Sequence, residues 1–206
     1  MHVEVFADIT CPFTHVGLKR VVAQLDALDR PTPITVRAWP LEWVNGVPLA
    51  ADAVATKAAV LTEQLEVSDF TGFDPVQWPA STVPALNLAA MAYTIGSTTG
   101  LAVSLELRSA LFEHGRDVGD PDVLADIART HGIDGYVYQE APRAEVAADY
   151  ELGQQLGVKG SPEFRAGGAA FFCPALTLGH DDAGELLADF DPMGLQQFIS
   201  QVTANS

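Results

Sequence analysis

Strand patterns stand at both ends of this chain, and a long stretch of helical pattern separates them. The strand runs are residues 2–6, 34–39, 163–166 and 169–172. Gly167-Gly168 between the last two runs is a two-residue hairpin signal. A helix predicted from about Thr14 to Asp29 joins the first two strands, which should therefore run parallel with a right-handed crossover. With an amphipathic helix at the carboxyl end, the order is βαβ, helices, then ββα, which predicts an α/β fold.

The dipeptide Cys11-Pro12 lies where the first strand ends and the first helix begins. Proline suits the first helical position because the N–H that it lacks would have no partner there. The sulfur of Cys11 then faces the free N–H groups and the positive end of the helix dipole, which favour the thiolate. We therefore predict that Cys11 is chemically active. The alternative is a small buried side chain, which is how most lone cysteines behave.

The middle of the chain carries several helical patterns and two loops. The helices span about residues 49–65, 86–95, 101–112, 121–132 and 144–156, and the loops span residues 40–48 and 68–79. One helical face, predicted to be buried, consists of Val54, Ala58, Leu61 and Leu65. Asp120 before Pro121 is an N-cap signal, and Gly157 suits the left-handed end of a helix.

Charge and cysteine content narrow the function classes. A net charge of −16 argues against nucleic acid or an anionic membrane surface as a partner. Two cysteines in 206 residues do not make a disulfide framework. The chain starts on a strand pattern without a leader or a membrane-spanning segment, so we expect a cytoplasmic protein. His114, His131 and His180 have no metal-ligand spacing, and we predict no metal site.

Three separated motifs carry a family resemblance. They are Asp8 to Gly17 (Asp-x-x-Cys-Pro-x-x-x-x-Gly), Phe112 to Gly132 (Phe-x-x-Gly, then Asp120, Leu124 and His131-Gly132) and Gly157 to Pro162 (Gly-Val-x-Gly-x-Pro). With them the chain resembles the DsbA-like, FrnE-type branch of the thioredoxin superfamily. The resemblance implies a thioredoxin fold formed by residues 1–47 and 157–206, with residues 48–156 as an inserted all-helical domain. It also implies thiol–disulfide oxidoreductase activity and a cis Ser161-Pro162 bond against the active cysteine.

One position departs from the pattern of that family. The family has Cys-x-x-Cys, and this chain has Thr14 where the second cysteine would stand. Cys11 could still attack a disulfide, but an external small thiol, or a group elsewhere in the chain, would then have to resolve the mixed disulfide. The tail Ala170 to Pro174 is similar to cytosolic members that work with mycothiol. We therefore expect mycothiol or glutathione as a co-substrate, and no tightly bound cofactor.

Further site candidates surround Cys11 in sequence or in the expected fold. The hydroxyl of Thr14 could donate to the sulfur, or it could be an ordinary first-turn group. Pro12 belongs to the same catalytic turn. The substrate or small thiol is expected to contact Phe13, His15, Trp39, Ser161 and Pro162. The aromatic residues Trp39, Trp43, Phe73 and Trp78 could line a substrate groove above Cys11, or they could be packing residues, as most such residues are.

The second cysteine, Cys173, follows the last strand of the hairpin. If the strand after Pro162 runs antiparallel to the first strand, the hairpin returns Cys173 to the active-site edge. Two strand spacings place it roughly 10 Å to the side of the first strand. Cys173 is thus either a second thiol of the site or part of a pocket wall.

Three functions remain open from the sequence. The first is an oxidoreductase that acts through Cys11 on a small thiol or disulfide substrate. The second resembles the kappa-class glutathione transferases and hydroxychromene-carboxylate isomerases, which have serine where Cys11 stands, with a mycothiol-dependent reductase between the two. The third is a non-catalytic binding module. The sequence leaves a homodimer open.

Overall fold

The computed structural model describes residues 2–28 and 32–204, and a four-stranded sheet with the order β2-β1-β3-β4 forms its centre. The strands are β1 (Val3–Ala7), β2 (Ile34–Ala38), β3 (Glu163–Ala166) and β4 (Ala169–Phe172). β1 runs parallel to β2 and antiparallel to β3, which pairs with β4. The predicted α/β class and thioredoxin arrangement are confirmed. The predicted end of the first helix at Asp29 lies outside the described residues.

Two helices cover one face of this sheet. α1 (Pro12–Asp26) connects β1 to β2, and α8 (Pro192–Ala204) closes the chain. The buried residues that face the sheet include Leu18, Val21 and Leu25 of α1, and Phe198 and Val202 of α8. They form one core with the apolar residues of the strands. At the β3–β4 turn both central residues, Gly167 and Gly168, have positive φ, as the two-residue hairpin requires.

The remaining helices form a block between β2 and β3. They are α2 (Leu41–Asn45), α3 (Ala51–Leu65), α4 (Val83–Ile95), α5 (Ser97–Phe112), α6 (Pro121–Thr130) and α7 (Ala144–Gln155). The face of α3 predicted to be buried is buried, and Asp120 caps α6 by accepting from the N–H of Asp122 at 2.7 Å. The core of the block also takes in Ile9 and Val16 from the first part of the chain. The domain division at residues 48 and 157 stays a prediction.

Short elements are where the sequence prediction was incomplete. α2 lies inside the predicted loop of residues 40–48, and a 3-10 turn, Pro75–Gln77, lies inside the loop of residues 68–79. A separate hairpin, β5 (Leu176–His180) and β6 (Leu186–Phe190), precedes α8. These elements bury few of their residues, so they carry no apolar periodicity that a sequence could reveal. The hairpin is held to α3 by the side chain of Gln64, which accepts from Ala188 N–H at 2.7 Å.

The outer edge of β2 is covered by side chains of the helical block. The N–H of Val36 donates to the hydroxyl of Tyr93 on α4 at 2.8 Å. The N–H of Ala38 donates to the carboxylate of Asp149 on α7 at 3.0 Å. Asp149 also accepts from Arg37 at 2.6 Å, which fixes α7 beside the strand. These bonds fix the position of the helical block relative to the carboxyl end of β1.

Candidate active site

Cys11 occupies the N-cap of α1, directly after β1. Its backbone is extended (φ −80°, ψ 112°), Pro12 is the first helical residue, and the carbonyl of Cys11 accepts from the N–H of His15 at 3.2 Å. The predicted strand-to-helix position of Cys11-Pro12 is therefore confirmed. The residue is 3% exposed, so it is almost entirely buried.

The loop before β3 brings a second segment against Cys11. The register of β1 and β3 pairs Phe6 with Glu163, which places Pro162 beside the end of β1. The Ser161-Pro162 peptide bond is cis, as expected from the sequence. The thiol of Cys11 donates to the carbonyl oxygen of Ser161 at 3.0 Å. The two segments, 150 residues apart in sequence, thus meet at the sulfur.

The hydroxyl of Ser161 joins two further groups to the site. It accepts from the N–H of Asp8 at 3.0 Å and lies 2.8 Å from the hydroxyl of Thr14. The predicted bond from Thr14 to the sulfur of Cys11 is replaced by this bond to Ser161. The hydroxyl of Thr14 is thus engaged with the loop that carries the cis proline. Thr14 is fully buried and positions the Ser161 loop.

Asp8 fixes the end of β1, a role that the sequence analysis did not assign. Its buried carboxylate accepts from the N–H and hydroxyl of Thr10, at 2.8 and 2.7 Å, and from the N–H of Leu41 at 2.7 Å. The hydroxyl of Thr82 donates to it at 3.1 Å. Asp8 therefore ties the segment that precedes Cys11 to the starts of α2 and α4. An Asp followed two residues later by a threonine, at a strand end, is a local signal that could have indicated this.

Arg108 is a second residue that sequence reasoning missed. Its side chain is fully buried on α5 and donates to the carbonyl and hydroxyl of Ser104, at 2.7 and 2.6 Å, and to the carbonyl of Asp8 at 3.1 Å. Its Nε has no hydrogen-bond partner in the described part of the chain. Burial lowers the pKa of Arg108 to about 10, and electrostatic interaction with Asp8, Tyr93 and Cys11 opposes that shift.

His15 does not line the site, contrary to the prediction. Its Nε2 lies 3.1 Å from the carbonyl oxygen of Asp69 and 3.2 Å from a carboxylate oxygen of Glu113. Its ring packs against Phe112, with 5.1 Å between the centroids. Burial, and then the charge of Lys19, lower the pKa of His15 to about 4. The reason for the difference is that Cys11 lies outside the helix as an extended N-cap residue, and only residues within a helix face each other at four-residue spacing.

The groups around His15 include the donor types that a metal ion prefers. His15, Asp69 and Glu113 offer ligand atoms within 4.8 Å of one another. However, the ammonium group of Lys19 already contacts both carboxylates, at 3.0 Å from Glu113. Since a cation of the chain itself fills this position, we keep the prediction that no metal binds here.

The predicted aromatic groove is divided between two separate packing groups. Trp39 is buried, stacks on Tyr150 with a centroid distance of 5.0 Å, and lies against Gly153, which has no Cβ to obstruct the ring. Trp39 is therefore a packing residue rather than a groove residue. Phe13 is half-buried near Lys57, whose Nζ is 5.9 Å from the ring centroid. The second group consists of Phe73, Trp78 and Phe112.

Cys173 lies at the active-site edge, directly after β4. Its N–H donates to the carbonyl of Pro162 at 3.1 Å, and it adopts φ +45°, in the left-handed region. The thiol is buried. Burial raises its pKa, and negative charge at Cys11 raises it further. Both cysteines thus bond to the segment that contains the cis proline, Cys11 to the carbonyl of Ser161 and Cys173 to the carbonyl of Pro162.

Comparison with protein families identifies the class of this protein. The model of the DSBA-like thioredoxin domain matches residues 2–184, and the chain therefore belongs to this family. A comparison with curated proteins finds no match.

Solved structures share the fold at low sequence identity. A cytosolic disulfide reductase DsbM from Pseudomonas aeruginosa has 15% identity and a TM-score of 0.62, with 100% of each chain covered. A probable DsbA oxidoreductase from Streptomyces coelicolor has 19% identity and a TM-score of 0.60, covering 100% of this chain and 91% of that one. A 2-hydroxychromene-2-carboxylate isomerase has 15% identity and a TM-score of 0.60, covering 84% and 88%. At these identities the likeness shows the fold alone. In the described residues, no helix has the length and apolar content needed to cross a membrane.

Proposed function

We propose that this protein is a thiol–disulfide oxidoreductase in which Cys11 is the single attacking thiol and a low-molecular-weight thiol is the co-substrate. The observation that supports this most directly is the contact of the Cys11 thiol with the carbonyl of Ser161, at 3.0 Å, at the N-terminus of α1. A helix N-terminus stabilises a thiolate. Ser161 precedes the cis proline and offers main-chain groups that an extended peptide could pair with.

The reaction would proceed through two thiol–disulfide exchanges. The Cys11 thiolate attacks a disulfide RSSR′, so that a Cys11–SR bond forms and R′S⁻ leaves and takes a proton from water. The thiolate of a small thiol GSH then attacks the R sulfur, which forms RSSG and releases the Cys11 thiolate. The net change is RSSR′ + GSH → RSSG + R′SH, and the enzyme returns to its starting state.

Resolution by an external thiol follows from the neighbours of Cys11. Thr14 stands where a second cysteine would, and its hydroxyl is engaged with Ser161. Cys173 is buried and its pKa is raised, so little of it is the nucleophilic thiolate at neutral pH. Glutathione and mycothiol are the candidate co-substrates, in a cytosolic setting. A form of the Pseudomonas aeruginosa reductase described "with GSH" shares this fold, with a TM-score of 0.57.

A kappa-class transferase or isomerase activity is the second candidate. The absence of a second thiol at position 14 and the fold shared with 2-hydroxychromene-2-carboxylate isomerase favour it. In that case the N-terminus of α1 would activate the sulfur of a bound small thiol, and Cys11 would not form a covalent bond. A mycothiol-dependent reductase would combine features of both.

Reduction of 2-hydroxyethyl disulfide with glutathione or mycothiol tests the proposal. We expect activity in the wild-type protein and in Cys173→Ser, its loss in Cys11→Ser, and a small-thiol adduct on Cys11 by mass spectrometry. Thiol conjugation to an electrophile that survives in Cys11→Ser would instead support the transferase. A wild-type protein without either activity would favour a binding module.

A further inference from the structure

The two edges of the central sheet are treated differently. The outer edge of β2 is covered by the side chains of Tyr93 and Asp149. β4 forms the other edge, and in the described part of the chain no strand pairs with its outer side. Proteins usually protect such an edge with a lysine, a proline or a bulge, and the sequence of β4, Ala-Ala-Phe-Phe, has none of these. The edge of β4 is therefore open to another strand.

The main-chain groups that point outward from β4 follow from its pairing with β3. The N–H of Cys173 donates to the carbonyl of Pro162, the residue opposite, at 3.1 Å. Bonded pairs alternate along an antiparallel ladder, so β4 bonds β3 again at Phe171, but not at Phe172 or Ala170. The N–H and C=O groups of Phe172 and Ala170 therefore point away from β3, and no described residue bonds to them.

The side chains at this edge are apolar and exposed. Phe172 is 54% exposed, and no other described phenylalanine or tryptophan is in the exposed class. Its ring lies against Gly160, where a Cβ would come within 3.0 Å of the ring. Ala170 is also exposed, and it lies on the same face of the strand, two residues away. A large and a small apolar side chain thus stand side by side.

The charge around β4 permits contact between two copies. The chain has 27 acidic residues, but none between Phe164 and His180. The positive charge of Arg165 in this stretch is bonded to Glu163 at 2.5 Å. Two acidic proteins can therefore meet at this edge without opposing carboxylates, and the partly positive N–H groups of one copy face the partly negative C=O groups of the other.

We propose that β4 is a dimerisation edge, which pairs antiparallel with β4 of a second copy. A two-fold axis at Phe171 sets Ala170 of each copy opposite Phe172 of the other, so that every outward N–H meets an outward C=O. Each exposed ring then packs beside a small side chain. A register shifted toward the end of β4 would set Ala170 opposite Pro174, which has no N–H. The opposite shift would set Phe172 opposite Gly168, which lies in the turn.

This pairing joins the two central sheets into one. Because the two β4 strands run antiparallel, the active-site edges of the two copies point in opposite directions, and each site keeps its own Cys11 and Ser161. The dimer therefore does not depend on the proposed function. Strands of this length bury less than the ~1,200 Å² of a stable protein interface, so we expect dimers to form mainly at high concentration.

Sedimentation velocity of the full chain, from micromolar to millimolar concentration and with a reducing agent, tests the proposal. The wild type should shift from monomer to dimer as the concentration rises. Ala170→Lys places a charge opposite the exposed ring of the second copy and should keep the protein monomeric. Thr177→Lys adds the same charge at an exposed position of β5, in the other sheet, and should dimerise as the wild type does.

Amide hydrogen exchange, followed by NMR, locates the contact. When nine-tenths of the wild type is dimeric, the amides of Ala170 and Phe172 should exchange roughly tenfold more slowly than in the monomer, because only the free copies exchange. A wild type that is monomeric at every concentration overturns the inference, including one that binds an extended peptide at these amides instead. Dimerisation of Ala170→Lys at the wild-type level, or unchanged exchange at both amides, also overturns it. A dimer without disulfide exchange activity would refute the proposed function alone.

Discussion

Acidification is expected to destabilise this protein through His15. The pKa of His15 is lowered from 6.5 to about 4 in the folded protein, first because the ring is buried and then because of Lys19. Between these values the unfolded chain binds a proton at His15 that the folded protein does not bind. The stability linked to His15 is therefore complete above about pH 6.5 and decreases as the pH falls toward 4, by about 1.4 kcal/mol per pH unit. At pH 5 the loss is about 2 kcal/mol.

Urea unfolding at pH 8 and at pH 5 measures this loss. His15→Gln retains a donor for the carbonyl of Asp69 but does not titrate, so it should lose about 2 kcal/mol less than the wild type over this interval. His180→Gln, at an exposed position of β5, is the control and should lose as much as the wild type. Equal losses in all three proteins would refute the reasoning. A wild type that gains stability at pH 5 relative to His15→Gln would show that Asp69 and Glu113 outweigh burial.

Mild oxidation should leave Cys173 a free thiol, because burial raises its pKa. Free thiols are counted in denaturant, with Cys173→Ala as the control. A disulfide between Cys11 and Cys173 would contradict the proposal that Cys11 acts alone. Thr14→Cys should close a disulfide with Cys11 on oxidation, since position 14 is where the Cys-x-x-Cys pattern of this family has its second cysteine. Two thiols still free at these positions by mass spectrometry would argue against it. Gly153→Ala places a Cβ 2.4 Å from an atom of the Trp39 ring and should lower the unfolding free energy by about 1–3 kcal/mol. The Cβ added by Gly17→Ala meets no atom within 4 Å, so this substitution should raise the free energy of unfolding, measured in urea, by about 1 kcal/mol. Equal effects of the two substitutions would show that the Trp39 ring moves aside.

Features that depend on a few neighbouring residues could be predicted from the sequence. Cys11-Pro12 at the start of α1, the Gly167-Gly168 turn and the Asp120 cap each depend on backbone preferences of the residues themselves. The meeting of Cys11 with Ser161 could be expected only from the family resemblance, because strand pairing across the whole helical block produces it.

Features that depend on packing between distant segments were missed. Arg108 has one sequence signal, its place on the apolar face of α5 with Ser104, Leu107 and Leu111, but nothing in the pattern says that it reaches Asp8. His15 was placed by helical spacing, which does not hold when the first partner is an extended N-cap residue.

The covered edge of β2 also bears on how the chain avoids self-association through that strand. Unpaired main-chain donors at a sheet edge offer a template on which another chain can add a strand and begin an aggregate. Here Tyr93 and Asp149 occupy the donors of Val36 and Ala38. A shortened chain without residues 48–156 would lose the side chains of Tyr93 and Asp149. The main-chain donors of β2 would then be free to pair with a strand of another chain. The helical block thus occupies main-chain donors that would otherwise be open to strand addition by another chain.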